Sequence, residues 1–385
     1  MALQQLQDNL TGINYLIIDE YSFVGQNLFG WIDSRCRQAT GKADQPFGGF
    51  SIILFGDIAQ LPPVGDKPLY HSIPKSEKQI KGFLMYHEFQ TVITLTVNER
   101  VKGCSQEQSN FRALLTRARN GNLTEDDWHT LLSRSPSRIK NIYEFEQSAV
   151  KLCYHKENVV KLNTEKLKTL NEPIARIKAR HSNGADKLHP DEFSGLEPVL
   201  YLSKRSRVML TMNLWTEVGL CNGALGTIVD FVFAEGQQPP CLPVCVIVQF
   251  DETYNGPSVS PALPRCVPIC PITQVSQSLG YNAERQQLPL RLAWAMTIYK
   301  CQGLTLEKAW IDLGKSESVT GMTYVALSRV RNLSDLVLEP LTFERLQALK
   351  KSPNLQYRIS EEHRLDRLSQ ATLLKSGNDV KKEYV

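Results

Sequence analysis

The sequence predicts an α/β protein with an inserted all-β module, and three observations lead there. Two short apolar runs, Ile13–Ile18 and Phe50–Phe55, each end abruptly in acidic segments, Asp19-Glu20 and Gly56-Asp57, with a helical-period stretch between them. Helix and strand patterns alternate again from Lys151 to Leu170 and from Leu288 to about Ala348. Between those segments, from Gly223 to about Glu284, short β-type runs are parted by Pro- and Gly-rich turns. Strand, helix, strand implies a parallel sheet with its functional groups at the carboxyl ends of the strands.

Each element follows in order. Ile13–Ile18 reads as a buried parallel strand, an apolar run ending abruptly in two acids. Asn27–Thr40 places Leu28, Trp31, Ile32 and Arg35 at helical spacing and leads to the second strand. Residues 107–134 read as helices, with Phe111, Leu114 and Leu115 on one face, a break at Gly121-Asn122 and a new start at Thr124-Glu125-Asp126-Asp127. Lys151–Tyr154 and Lys156–Leu170 open another α/β lobe, and Thr227–Phe233 and Val244–Phe250 are the clearest strands of the β-module. The last 37 residues are polar and charged, helical or frayed. The expected divisions are a first lobe at 1–135, a second at 136–222 and 286–348, the β-module at 223–285 and a tail at 349–385.

Composition narrows the function classes. With 42% hydrophobic and 22% charged residues the chain is of ordinary globular composition, so disorder is not expected. No apolar run approaches the roughly 18 residues of a spanning helix, so no membrane partner is expected. The polar amino terminus carries no secretory signal, and an intracellular location is expected. Net charge +4 suits a polyanionic partner but is too small to identify one. Nine cysteines, an odd number, point to reduced thiols. Cys241, Cys245, Cys266 and Cys270 form two equally spaced pairs, yet Leu-Pro-Val and Val-Pro-Ile between them read as extended chain rather than a zinc knuckle.

The acid pair Asp19-Glu20 acquires meaning from the second strand's end, Gly56-Asp57-Ile58-Ala59-Gln60-Leu61-Pro62-Pro63-Val64. In a nucleotide motor an aspartate at one strand end holds Mg²⁺, a neighbouring glutamate orients the attacking water, and an amide on the adjacent strand senses the γ-phosphate. The prolines fix the path of the loop, so that a change at Gln60 moves the segment beyond it.

These segments, with Pro46-Phe47-Gly48-Gly49-Phe50, resemble motifs two and three of the petite-integration-frequency (PIF-type) DNA helicases, which move 5′-to-3′ on single-stranded DNA. Leu95–Arg100 resembles motif four, Arg291–Leu306 motif five, and Tyr324–Val330 motif six. The resemblance covers residues 13 to about 345, and Asn222–Thr227 is most similar to the branch carried by rolling-circle (Helitron-type) transposons. It implies two RecA-like parallel-sheet lobes, the first incomplete, with a small SH3-like β-module inserted. It also implies ATP as substrate, Mg²⁺ as cofactor, single-stranded and forked DNA as partners, a monomer, and a nuclear location with the mitochondrion as alternative.

Residue by residue, the resemblance implies that Asp19 and Glu20 serve metal and catalysis, and that Gln60, Arg100 and Arg329 act on the γ-phosphate, the arginines from the rim of the lobes' interface. Gln302 and Gly303 would lie at the nucleotide, and Pro62, Pro63, Tyr299, Lys300, Gln302 and Thr305 at DNA. The family usually has His and Ser where this chain has Tyr299 and Cys301, which alters the DNA-contacting turn. Trp294 and Trp310 read as core aromatics.

One part of a motor is not found. A Gly-rich loop ending in Gly-Lys-Ser or Gly-Lys-Thr should lie upstream of motif two, but the 18 residues before Asp19 contain no lysine. Gly41-Lys42 is followed by Ala43. Ala309–Ser316 fits a permissive version of the pattern, yet Trp310, Ile311 and Leu313 are too bulky to let amides converge on an anion. The expectation is a truncated chain whose first lobe is marginal.

Overall fold

A computed structural model describes residues 3–182, 184–317 and 319–383. The chain forms two compact units, one of Met1–Ile142 with Thr305–Glu307 and Leu313–Val385, the other of Tyr143–Leu304 with Lys308–Asp312.

The first unit begins with α1 (Leu3–Leu10), β1 (Tyr15–Ile18), α2 (Gln26–Thr40), β2 (Ser51–Leu54), α3 (Glu77–His87), α4 (Gln106–Arg119) and α5 (Glu125–Leu132). β1 and β2 pair in parallel, Tyr15 opposite Ser51 through Ile18 opposite Leu54. Leu16, Ile18, Ile52 and Leu54 pack on a core that includes Phe29, Phe47 and Tyr86. The opposite face is open: Tyr15 is 63% exposed, Ile17 64% and Phe55 47%. This corrects the expectation of a strand buried on both faces. An unbroken apolar run permits cover on two sides but does not supply it, and cover comes from other elements. Residues 91–97, a β-prone stretch, form no ladder, and Ile93, Leu95 and Val97 are exposed.

Helix α2 forms where expected, but its inward face differs. Leu28 and Trp31 are exposed, whereas Phe29, Gly30, Asp33 and Cys36 are buried. Asp33 explains the rotation: its fully buried carboxylate accepts from Arg37 Nε at 2.8 Å, pairs with Lys81 Nζ at 2.7 Å and accepts from the Phe47 amide at 2.7 Å. One acid thus ties α2 to α3 and to the Pro46–Gly49 turn, an advantage no hydrophobic pattern reveals. Gly82 lets α3 approach, since a Cβ there would lie 1.9 Å from the Gln26 carbonyl oxygen. α4 buries Phe111, Leu114 and Leu115, and α5 starts in a reciprocal cap between Thr124 and Asp127, as the sequence indicates.

The second unit contains α6 (Ile142–Ser148), β3 (Val150–Cys153), α7 (Lys156–Thr169), β4 (Ala175–Lys178), β5 (Arg180–His181), β6 (Val199–Leu202), β7 (Arg207–Leu210), β8 (Leu225–Val232), β9 (Cys245–Phe250), β10 (Cys266–Ile269), β11 (Ile272–Ser276), β12 (Ala283–Gln287), β13 (Leu290–Leu292), β14 (Ala295–Thr297), α8 (Ile298–Cys301) and β15 (Ala309–Asp312). β14 and β15 flank β3, both in parallel. An antiparallel sheet runs β10-β9-β8-β7-β13 over a core that includes Val208, Val246, Val248 and Phe250. β7 and β13 lie outside residues 223–285 yet complete this sheet, because the hydrophobic faces of β8 and β9 need the neighbouring strands to close over them.

The parallel β15 forms the first half of the rejected loop pattern: Ala309 and Ile311 are fully buried and Trp310 is 8% exposed, so Ala309–Asp312 is a strand and no phosphate cradle. Trp310 is a core aromatic, as read from sequence, while Trp294 is half-buried.

The first unit is completed by α9 (Met322–Leu327), β16 (Leu336–Leu338), α10 (Phe343–Gln347) and α11 (Pro353–Glu383). α11 is a docked helix. Leu365 packs on the β1–β2 core, Tyr86 Oη donates to Glu361 Oε1 at 2.7 Å, and Arg358 Nη2 donates to the Arg119 carbonyl at 2.6 Å. Among the described residues no helix is long and apolar enough to cross a membrane. Nor do any three His, Cys, Asp or Glu residues there gather as a metal-binding group; Cys245 and Cys266 are buried, Cys241 and Cys270 exposed.

Burial alone would raise the Asp33 carboxyl, but Arg37, Lys81 and the Phe47 amide outweigh it and hold the pKa below the usual range. Its stabilisation is therefore present above the unfolded carboxyl pKa and lost as pH falls through the lower folded value. Asp33→Asn should cost on the order of 3 kcal/mol in urea denaturation at neutral pH. The variant should also lose less further stability than the parent below about pH 4.

Candidate functional site

The parallel register of β1 and β2 sets the two acidic strand ends side by side. The Phe55 amide donates to the Ile18 carbonyl and the Tyr21 amide to the Phe55 carbonyl, each at 2.9 Å. At this junction Glu20 takes a left-handed conformation, φ 50° and ψ 45°, while its amide donates to Asp19 Oδ1 at 2.8 Å. A β-carbon residue there costs on the order of 1 kcal/mol, and such strain gathers at functional sites. The turn is held by Tyr21, which burial pushes up to about 12 with Glu361 and Asp57 adding to the shift.

From the end of β2, Asp57 accepts from Arg119 Nη2 at 2.8 Å, and Arg119 Nη1 pairs with Glu362 on α11 at 2.7 Å. Burial would lower the Arg119 guanidinium, but Asp57 and Glu362 hold it above its normal value. Gln60 Oε1 is buried without a hydrogen-bond partner among the described residues. The Gly321 turn leading into α9 lies directly against this loop: with φ 89°, a Cβ there would sit 2.5 Å from the Ala59 carbonyl oxygen and 2.8 Å from that of Gln60. Tyr324, one turn into α9, has its phenol raised by burial and by Asp57, against the lowering effect of Arg119, Arg329 and Arg100. One phenol therefore senses one acid and three guanidinium groups.

Arg100 donates to Thr305 Oγ1 at 2.9 Å and to the Ser328 carbonyl at 3.0 Å. Arg329 is 1% exposed, donating to the Val325 carbonyl and to Ser328 Oγ, each at 2.6 Å. Asp19 is exposed and Glu20 half-buried at the end of β1, Gln60 lies on the loop packed against Gly321, and Arg100 and Arg329 lie around Tyr324 together with Asp57.

The expected DNA-contacting residues are less uniform. Ala59, Leu61 and Pro63 alternate inward along the extended loop, so Pro63 is buried and only Pro62 is partly open. In the second unit Lys300 and Gly303 are exposed, Gly303 at φ 79°, and Gln302 is half-buried. Tyr299 is half-buried, its phenol raised by burial and by nearby Tyr154. Cys301 is buried, its thiol donating to the Ile298 carbonyl at 3.1 Å.

The family model described as PIF1-like helicase matches residues 2–129. ATP-dependent DNA helicase PIF1 of Homo sapiens is 32% identical over 324 residues, 83% of this chain and 45% of that protein. Its counterpart in Danio rerio is 31% identical over 326 residues, 85% of this chain and 46% of that protein. The chain is similar to PIF1-like helicases over more than four fifths of its length. It spans less than half the length of these curated relatives. Pif1 helicase from Candida albicans has the same fold, with a TM-score of 0.65 at 23% identity over 94% of this chain and 80% of that one. A Pif1 structure concerned with unwinding of forked double-stranded DNA by two coordinating helicases matches at TM-score 0.62 and 26% identity, over 90% of this chain and 74% of that one.

Within this PIF1-like chain, sequence reasoning missed Arg119, Glu362 and Arg358, and gave Asp57 and Tyr324 no role. Asp57 and Tyr324 stood inside quoted motifs and were legible there. Arg119 ends an ordinary amphipathic helix, and Glu362 and Arg358 lay in what read as a polar tail; no local signal marks them.

The loop contact supplies a test. Gly321→Ala should lower stability by about 2 kcal/mol in thermal unfolding, through steric overlap added to the left-handed penalty. Gly280→Ala, at φ 78° with nothing within 4 Å, carries only the backbone penalty and should cost about half as much.

Proposed function

We propose that this chain is motor sequence of an ATP-dependent DNA helicase moving 5′-to-3′ on single-stranded DNA. The observation that carries the reading is the first unit's cluster: Asp19 and Glu20 beside the Asp57 strand end, Gln60 with its unpartnered oxygen, and Arg100 and Arg329 around Tyr324. Two adjacent carboxylates suit Mg²⁺, which typically takes one or two protein carboxylates and completes its shell with water and phosphate oxygens. Asp19 would hold the ion, and Mg²⁺ when bound neutralises charge on the phosphates. Glu20 orients the attacking water. The buried Gln60 oxygen accepts a hydrogen bond from a water or hydroxyl near the γ-phosphate, which explains an acceptor otherwise left bare. Arg329 at present donates to neutral oxygens, and exchanging them for phosphoryl oxygens gives a stronger, charge-assisted bond. Arg100 spans Thr305 and Ser328, coupling the γ-phosphate side to motifs five and six.

The open face of β1–β2 favours a second reading, an ATPase-dead DNA-binding remnant. Tyr15, Ile17, Ile53 and Phe55 expose apolar surface where a parallel sheet is normally covered, and no described residue forms a phosphate cradle. A strand and Gly-Lys-Thr loop laid beside this sheet would complete both the sheet and the nucleotide site.

Isothermal titration separates the readings. The chain by itself should bind no Mg·ATP at micromolar concentration; a saturable signal abolished by Glu20→Gln or Arg329→Ala would refute that. Joined behind the strand, loop and helix of a PIF1 relative, it should hydrolyse ATP in the presence of single-stranded DNA, with Arg329→Ala lowering kcat by about a thousandfold. Absence of hydrolysis in that fusion, with its melting intact, supports the remnant.

A further inference from the structure

We propose that Cys245 and Cys270 form a reversible dithiol–disulfide site, at which a hydroperoxide oxidises the two thiols and so fastens the edge strand β10 to β9. The site is independent of the nucleotide and DNA chemistry above. It rests on the register of the sheet. β9 and β10 pair antiparallel from Gln249 opposite Cys266 to Val246 opposite Ile269. One further step along that register sets Cys245 opposite Cys270, and residues directly opposite share a face of the sheet. Val246, Val248 and Ile269 belong to the core, so both cysteines lie on the other face. The Phe250 amide donates to the Arg265 carbonyl at 3.0 Å, across the pair that precedes Gln249 with Cys266. Bonded and non-bonded pairs alternate along an antiparallel ladder, so Val246 with Ile269 is a bonded pair, whereas Ile247 with Pro268 and Cys245 with Cys270 are not. Pro268, with no N–H to donate, stands where none is needed.

At a non-bonded pair the Cα atoms approach to about 4.5 Å. A disulfide takes Cα separations of roughly 4.4–6.8 Å, so the bond needs little movement of either strand. Burial raises the Cys245 thiol and Cys270 raises it further, as a neighbouring thiolate does. Cys270 is exposed and Cys245 buried, which divides the roles between them. The Cys270 thiolate attacks the outer oxygen of the hydroperoxide; an S–O bond forms as the O–O bond breaks, and the departing oxygen takes a proton to leave as an alcohol. Cys245 then gives up its proton and attacks the Cys270 sulfur, and the S–OH oxygen leaves with that proton as water. Two thiols and one hydroperoxide thus yield one disulfide, one alcohol and one water, with two electrons passing from sulfur to the peroxide.

The neighbouring cysteines stand differently. Cys266 is opposite Gln249, and Cys241 precedes β9 in a turn where its amide donates to the Gln238 carbonyl. Among the described residues no three ligating side chains gather, so a metal would find two thiols here, short of the four ligands that structural zinc takes. β10 is the last strand of its sheet, and Pro271 leads from Cys270 directly into β11 of the sheet β11-β12-β5. The disulfide therefore holds the point where the chain passes from one sheet to the next, at a strand paired on one side only.

Peptide mass spectrometry on the full chain tests the site. The reduced protein is treated with equimolar hydrogen peroxide, blocked with N-ethylmaleimide and digested. The expected product is a pair of peptides joined through Cys245 and Cys270 and separated again by dithiothreitol. Cys270→Ser, at an exposed position, should abolish the link. Cys245→Ser should leave Cys270 as a sulfenic acid that dimedone traps, whereas the parent goes on to the disulfide. In hydrogen exchange the amides of the β9–β10 ladder should exchange about tenfold more slowly in the oxidised parent than in the reduced parent, and at one rate in Cys270→Ser before and after treatment. A lasting dimedone adduct on Cys270 in the parent, a link through Cys241 or Cys266 instead, or both thiols left unmodified would overturn the assignment. A Cys245–Cys270 bond that leaves exchange unchanged would overturn the fastening of β10.

Discussion

The in-register parallel pairing of β1 with β2 is the constraint on which the first unit depends. Four paired positions, from Tyr15 with Ser51 to Ile18 with Leu54, bring two segments 36 residues apart to a common carboxyl edge. Side chains at that edge leave the sheet together, which is why parallel sheets so often present their chemistry there. The strained Glu20 turn is held by the same ladder, through the bonds that Phe55 and Tyr21 make across it. A shift of β1 by one residue would turn Leu16 and Ile18 away from the core that Ile52 and Leu54 still face, so the core enforces the register that the acids need.

Around this edge the charges form a connected set. Asp57 meets Arg119, Arg119 meets Glu362, and Arg358 donates to the backbone of Arg119 while packed at 1% exposure. The carboxy-terminal helix therefore reaches the end of β2 through two side chains. Gly321 gives the turn before α9 a direct backbone contact with the loop bearing Gln60. A displacement at Gln60 is met by backbone rather than by a pliable side chain, which suits a segment expected to transmit the state of a γ-phosphate.

The second unit follows a different logic. Its antiparallel sheet has a core of its own, and among the described residues of this unit the buried side-chain atoms without a hydrogen-bond partner are Thr211 Oγ1 and Arg291 Nε. Arg207 and Asp251 pair across β7 and the end of β9, while Arg291 on β13 pairs with Glu197 at 3.5 Å.

The amino-acid order by itself determined the parallel α/β character, the start and stop of α4, α5 and α7, the β-texture of the inserted region, and the ordered motifs that carry Asp19, Glu20, Gln60, Arg100 and Arg329. These are local or near-local signals: periodicity, caps, and acids at strand ends. Only the tertiary structure decided that α2 turns Asp33 inward, that Pro63 and Arg329 are buried, that α11 docks through Arg358, Glu361 and Leu365, and that one face of β1–β2 stays open. Each of those depends on a partner distant in sequence, such as Lys81 for Asp33 or Arg119 for Arg358. Burial of a polar group is favourable only where such a partner waits, and that is a property of the assembled fold rather than of the segment.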